Sequence, residues 1–324
     1  MTGRICGIGS YLPKKVLTND DMAKMVETSD EWIRERTGIC ERHISDPHTE
    51  KASQMAGIAA KKALEDAGID ASEIDLIVAS STTPDVIFPS IACCVQEAIG
   101  ADGCGCFDVN SACPGWLAAY NTAQAFIESG AYKTVLVAAS EGISNFVDWE
   151  DRGSCILFGD GAGAVVLKAE EGHMPNKMVM HGTYKKAECL RLENKQQPGR
   201  ASEEGFDKAA LMYMAGRDVF RFAVSEVPAV IKELSEKYSF SLDDVDWFVL
   251  HQANARIIET IAKRLGQDIS KFPMNLQFTG NTSSASIPIL LDEMKKDGRL
   301  KRGQKLVFSS FGAGLTWNAN YIEF

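Results

Sequence analysis

The chemistry open to this chain of 324 residues centres on three side chains far apart in sequence: a thiol at Cys113, an imidazole at His251 and a carboxamide at Asn281. Cys113 lies in FDVNSACPGWLAAYNTAQAFIESG (107–130), where a short strand ends, small residues turn the chain and an apolar run of helical spacing begins. Pro114 suits the first helical position, because its missing N–H is one of the unpaired donors there, and this puts Cys113 at the N-cap. A thiol so placed faces free backbone N–H groups and the positive end of the helix dipole. That predicts a lowered pKa and a nucleophilic thiolate. The plainer reading is a packed cysteine, since Cys is among the most buried residue types. His251 ends the apolar run DVDWFVLH (244–251) and precedes Gln252-Ala253-Asn254 and the helix ARIIETIAKRLG, whereas His43, His48, His173 and His181 lie in polar or glycine-bearing stretches expected at the surface. A hydrogen-bonded core histidine is the competing reading for His251, and a cap or turn for Asn281 in Thr279-Gly280-Asn281-Thr282.

The elements that must position these groups recur along the chain. Trp116, Tyr120, Ala123 and Ile127 share a helical face, thickened by Leu117, Ala119 and Phe126, so the helix after Cys113 should be buried. Residues 52–67 form an amphipathic helix with Met55, Ile58, Ala59 and Leu64 inside, stopped by Gly68, and a buried strand follows from Asp75. A helix over 219–238 and a strand from Asp246 repeat that order, and the tracts EIDLIVAS (73–80) and DVDWFVLH (244–251) align at an offset of 171 positions. The Cys113 helix and strand TVLVAAS (134–140) are echoed by a helix beginning near Asn281 and strand KLVFSSF (305–311). The pattern predicts an α/β fold of two duplicated halves, residues 1–170 and 171–324, with mainly parallel sheets covered by helices. Ligands of open α/β sheets gather beyond the carboxyl ends of the strands, and a central site between the halves would unite Cys113, His251 and Asn281. The glycines of GDGAGAVVL (159–167) precede a strand, whereas phosphate loops follow one and open a helix, so they read as tight backbone packing.

Composition narrows the function. Hydrophobic residues make up 45% of the chain, enough for a large core. The N-terminus lacks an apolar signal core and no apolar run is long enough to span a bilayer, which predicts a cytoplasmic protein that does not enter the membrane. Nine cysteines, an odd number without regular spacing, argue against a disulfide framework. Cys93-Cys94 and Cys104-Gly105-Cys106 lack zinc-site spacing, so no metal is expected. A net charge of −10 disfavours nucleic acid and anionic membrane as partners of the whole surface.

A Cys-His-Asn order also occurs in papain-type proteases, but Ser111-Ala-Cys-Pro-Gly is not their cysteine signature and the surrounding pattern is repeated α/β, which leaves a hydrolase as a remote alternative. Instead DVNSACPG, HQANARII, GNTSSAS and FGAGLTW (311–317), with GSYLP, TSDEWI, RTGI, FPS and DRGSCILFGDGAGA, resemble β-ketoacyl-acyl carrier protein synthase III over nearly the whole chain. The resemblance implies a thiolase-like fold and an acyltransferase that condenses an acyl-coenzyme A primer, acetyl above all, with malonyl-acyl carrier protein. Coenzyme A enters as substrate, and no cofactor is implied. Relatives that use other acyl chains or polyketide starters are the alternative. By the same resemblance Cys113 is the nucleophile and His251 and Asn281 the enolate donors. The N–H groups of Cys113 and Ala313 form the oxyanion hole. Trp32 and Arg152 sandwich adenine, Arg36 holds the nucleotide end and Asn254 lines the pantetheine tunnel. Phe311 bounds the acyl pocket, and Phe88 reaches that pocket in the partner of a homodimer. Arg221 with Arg256, Lys263 and Arg264, the last three expected on one helix face, would dock the acidic carrier protein.

Overall fold

The computed structural model describes residues 1–192 and 211–324. Its strands are β1 (Thr2–Tyr11), β2 (Lys15–Thr18), β3 (Glu41–Ile44), β4 (Leu76–Ser80), β5 (Gly105–Asp108), β6 (Thr134–Glu141), β7 (Gly161–Glu170), β8 (Lys177–Gly182), β9 (Leu190–Arg191), β10 (Tyr213–Met214), β11 (Trp247–Leu250), β12 (Lys305–Gly312) and β13 (Thr316–Glu323). Two sheets dominate, ordered β1-β7-β6-β4-β5 and β8-β13-β12-β11. They share one scheme. In each, a parallel ladder (β6 with β4, β12 with β11) adjoins two antiparallel ones. The sheets are therefore mixed, with β4-β5 adding a further parallel pair, rather than parallel throughout.

Three element starts keep the 171-residue offset: Leu76 and Trp247, Gly115 and Ser286, Thr134 and Lys305. The two related helices, Gly115–Glu128 and Ser286–Lys296, lie between the sheets. Trp116 and Tyr120 of the first are buried and pack edge-on against Phe308 of β12, so the core at the junction is built from both halves. Apolar residues all round the Gly115–Glu128 helix follow from this: it has sheet or helix on every side. The outer face of the first sheet is covered by Ala52–Ala67 and Ile91–Ile99, and that of the second by Gly216–Tyr238, against which Ala255–Leu265 packs.

Small residues set the spacing. A Cβ on Gly163 would lie 2.7 Å from Pro288 Cβ, and one on Gly159 2.3 Å from the Thr279 carbonyl, so the glycine tract serves close packing between the halves. Some local expectations need correction. Ile58 is exposed, because the Ala52–Ala67 helix turns its alanines and Met55 to the sheet. The helix expected from residue 219 starts at Gly216. Asn281 does not open a helix; it forms an isolated parallel bridge with Phe158, and the helix begins at Ser286. Among the described residues no helix is long and apolar enough to cross a membrane, and no group of three or more His, Cys, Asp or Glu is placed to hold a metal ion.

Candidate active site

Cys113, His251 and Asn281 all line one cavity of about 880 Å³ at the junction of the halves. Each is set there by a different local device. Ala112 has φ 49, a left-handed conformation rare for a residue with a Cβ, and it turns the chain from β5 into the helix. The helix begins at Gly115 with Pro114 as its cap, so Cys113 stands one residue outside the N-cap predicted for it. Burial pushes the thiol up to about 11, opposed by the Ser283 hydroxyl and reinforced by the Glu141 carboxylate. The expected lowered pKa is thus reversed: a helix start gives at most a modest electrostatic gain, and desolvation outweighs it here. Gly312 packs against this residue; a Cβ there would lie 2.9 Å from Cys113 Cβ and 2.8 Å from Pro114 Cδ.

His251 follows β11 and its N–H donates to the Ser309 carbonyl. The ring is buried, edge-on to Phe311, and burial lowers its pKa to about 3, so it is neutral at physiological pH. Nδ1 lies 2.7 Å from Ser286 Oγ, which also accepts from the Gln252 N–H at 3.3 Å. This geometry is compatible with donation from the Ser286 hydroxyl to Nδ1, an arrangement that puts the ring proton on Nε2. Asn281 is held through its backbone, donating to the Leu157 carbonyl and accepting from the Gly159 N–H. Its Oδ1 accepts from the Ser283 N–H at 2.9 Å, which leaves Nδ2 as the free donor.

Ser283 was not singled out from sequence. Its φ is 51 and its hydroxyl donates to Cys113 Sγ at 3.5 Å. The 171-residue offset could have found it, since it is the counterpart of Ala112, the other strained residue at the nucleophile. Ala313 lines the cavity beside Cys113 and is not in the left-handed region, and neither residue's N–H donates to another residue among those described.

Toward the far end, the Arg152 guanidinium lies 4.8 Å from the Trp32 ring centroid and that of Arg36 5.4 Å from it. Asn254 caps the Ala255–Leu265 helix and donates from Nδ2 to the Arg36 carbonyl, so all four lining residues form one connected wall. Arg221 and Arg256 line the same cavity, joined by Arg217, which sequence reading had passed over. Lys263 is exposed outside it. Arg264 is exposed like Lys263, and its guanidinium donates to the Val224 carbonyl at 2.8 Å, tying two helices together. Phe311 is buried and lines the cavity. Phe88 is 85% exposed on the loop before the Ile91–Ile99 helix and does not line the cavity of its own chain.

Residues 107–184 match the family model described as 3-oxoacyl-[acyl-carrier-protein] synthase III, and residues 235–324 match that of its C-terminal part. The chain is 48% identical over 322 residues to the β-ketoacyl-[acyl-carrier-protein] synthase III of Xanthomonas campestris, covering 99% of this chain and 98% of the relative. It is 47% identical over 321 residues to the protein of the same name from Clostridium acetobutylicum, covering 98% of each. Among solved structures, 3-oxoacyl-[acyl-carrier-protein] synthase III from Aquifex aeolicus superposes with a TM-score of 0.92 at 42% identity, covering 99% of this chain and all of that one.

A half-buried thiol kept neutral by desolvation has a clear signature. Alkylation of Cys113 by iodoacetamide, followed by peptide mass spectrometry, should rise about tenfold per pH unit from pH 7 to 10, as the thiolate fraction does below the pKa. A plateau below pH 9 would mean a preformed thiolate.

Proposed function

This chain belongs to the β-ketoacyl-[acyl-carrier-protein] synthase III family, and from that premise we propose that it condenses an acyl-coenzyme A primer with malonyl-acyl carrier protein, releasing carbon dioxide and starting a fatty acid. The observation that carries this reading is a single cavity lined by a thiol, an imidazole and a carboxamide and also by a tryptophan whose ring two guanidiniums approach, at 4.8 and 5.4 Å from its centroid.

In the first step Cys113 Sγ bonds to the acyl carbon while the bond from that carbon to the coenzyme A sulfur breaks. The thiol proton leaves with coenzyme A. The Ser283 hydroxyl steadies charge on the attacking sulfur, and the N–H groups of Cys113 and Ala313 receive the transient oxyanion. In the second step malonyl-acyl carrier protein loses its carboxyl group as carbon dioxide, and the electron pair moves onto the thioester oxygen. His251 Nε2–H and Asn281 Nδ2–H donate to that oxygen. Both donors are neutral, and a carboxylate in place of the amide would repel the enolate. In the third step the enolate carbon attacks the acyl group, the bond to Cys113 Sγ breaks, and the sulfur takes a proton from solvent.

The same reading gives the remaining residues their parts. Arg152 lies over Trp32, 4.8 Å from its ring centroid, so in this reading the guanidinium moves aside to admit adenine between the two, with Arg36 on the nucleotide and Asn254 along the pantetheine arm. Arg221, Arg256 and Lys263 offer the acidic carrier protein a local basic surface on a chain of net charge −10. Arg264 adds charge from the neighbouring face. Exposure of Phe88 fits its insertion into the acyl pocket of a second copy, beside that copy's Phe311, which supports a homodimer and a short primer such as acetyl. Residues 1–170 and 171–324 act as the two halves of a thiolase-like unit working in the cytoplasm.

Cys113→Ala should take up no acetyl group from acetyl-coenzyme A by intact-protein mass spectrometry, whereas His251→Ala and Asn281→Ala should acylate yet lose at least about a hundredfold in condensation. Stable acylation of Cys113→Ala would remove the nucleophile assignment. Lys263→Glu, outside the cavity, should raise the KM for malonyl-acyl carrier protein roughly tenfold and leave that for acetyl-coenzyme A unchanged; an unaltered carrier-protein KM counts against the docking face.

A further inference from the structure

Glu141, the last residue of β6, is fully buried. Its carboxylate accepts from Ser284 Oγ at 2.6 Å, Thr83 Oγ1 at 2.8 Å, Thr82 Oγ1 at 2.9 Å and the Thr82 N–H at 3.1 Å. Every one of these partners is an uncharged donor, so an acceptor-only group is satisfied without a counter-ion. Burying a carboxylate in this way is costly, and the cost falls beside the nucleophile: Thr82 lines the cavity with Cys113. Core packing alone would be served better by an apolar side chain.

What the carboxylate grips is the segment 281–286, and that segment touches each reactive group. Asn281 belongs to it, Ser283 donates to Cys113 Sγ, and Ser286 orients His251 through Nδ1. Ser283 is held at φ 51, a conformation that persists only where the surroundings over-determine it. The Ser284–Glu141 hydrogen bond, next to that strained residue, ties the segment to the first half's sheet. The duplication gives the contact a counterpart. At the 171-residue offset Ser284 corresponds to Cys113 and Glu141 to Gly312, and Gly312 packs directly against Cys113. One copy of this turn-on-strand contact carries the nucleophile; the other carries a hydrogen-bonded strut.

We propose that Glu141 is a positioning residue for the condensation, its carboxylate acting through Ser284 to hold the 281–286 segment so that Asn281 Nδ2, the Ser283 hydroxyl and the His251 ring converge on the same substrate atoms. The proposal rests on the condensing reaction set out above. It gives the conformationally awkward segment a rigid anchor.

The test uses the full-length enzyme with Glu141→Gln, Ser284→Ala and the double variant, measuring kcat per titratable Cys113 thiol, KM for malonyl-acyl carrier protein and thermal midpoint. Each single change should lower kcat about ten- to a hundredfold, the cost of misplacing reacting groups by about 1 Å. KM should stay within about twofold, since binding energy is not what is lost. Ser284→Ala removes one hydroxyl and should keep a near-native midpoint, which separates misalignment from unfolding if Glu141→Gln folds poorly. The double variant should be no slower than the slower single one, because both changes break one interaction. A wild-type kcat per thiol in Ser284→Ala, or losses that multiply in the double variant, would overturn the proposal. A wild-type enzyme that acylates but never condenses would overturn it together with the reaction on which it rests.

Discussion

Desolvation of the cavity between the halves is the constraint on which the rest of the structure depends. It pushes the Cys113 thiol up to about 11 and lowers His251 to about 3, so both groups are neutral at physiological pH. In the proposed reaction charge develops on the attacking sulfur and on the oxyanion of the acylation step, and later on the enolate. Preorganised neutral donors suit such a site, because no reorganisation is needed when charge develops. The surrounding architecture serves this end. Glycines let the halves approach closely, and hydroxyls at Ser283 and Ser286 supply direction without charge.

Duplication explains how such a site arises and why it is asymmetric. Two copies of a strand-turn-helix unit meet at the centre, and both turns contain a non-glycine residue in the left-handed region, Ala112 in one and Ser283 in the other. The turns have diverged in content while keeping their geometry. One presents a sulfur against a glycine; the other presents a serine against a buried carboxylate. In the proposed reaction, a nucleophile on one turn and an enolate donor at Asn281 on its counterpart would bring the acyl group and the enolate face to face, the spatial need of a reaction that joins two acyl units.

Much of this was legible in the chain. The long apolar helix after Pro114, the paired strands and the 171-residue offset follow from hydrophobic period, and local context together with the family resemblance marked Cys113, His251 and Asn281. Quantities set by tertiary surroundings were not. The helix start at Cys113 promised a lowered thiol pKa, but Pro114 took the cap and burial, invisible in local sequence, reversed the sign. Ser283 and Glu141 carry no motif of their own; their meaning lies in partners 170 and 143 positions away. Arg264 kept its place on the helix while its long side chain crossed to Val224, a contact helical spacing does not encode. Ile58 fitted the apolar period, yet small alanines beside it let the sheet approach and left it outside.

The central claim is that one cavity passes an acyl group from a cysteine to a carbanion made in place. Its most direct measurement is a single turnover with acetyl-coenzyme A and malonyl-acyl carrier protein labelled at the free carboxyl, quenched over time and resolved by peptide mass spectrometry. Acetyl should appear on the peptide containing Cys113 and then disappear as labelled carbon dioxide and 3-ketoacyl-acyl carrier protein form in equal amounts. Label retained in the product, or an acetyl group that resides on any other residue, would contradict the account.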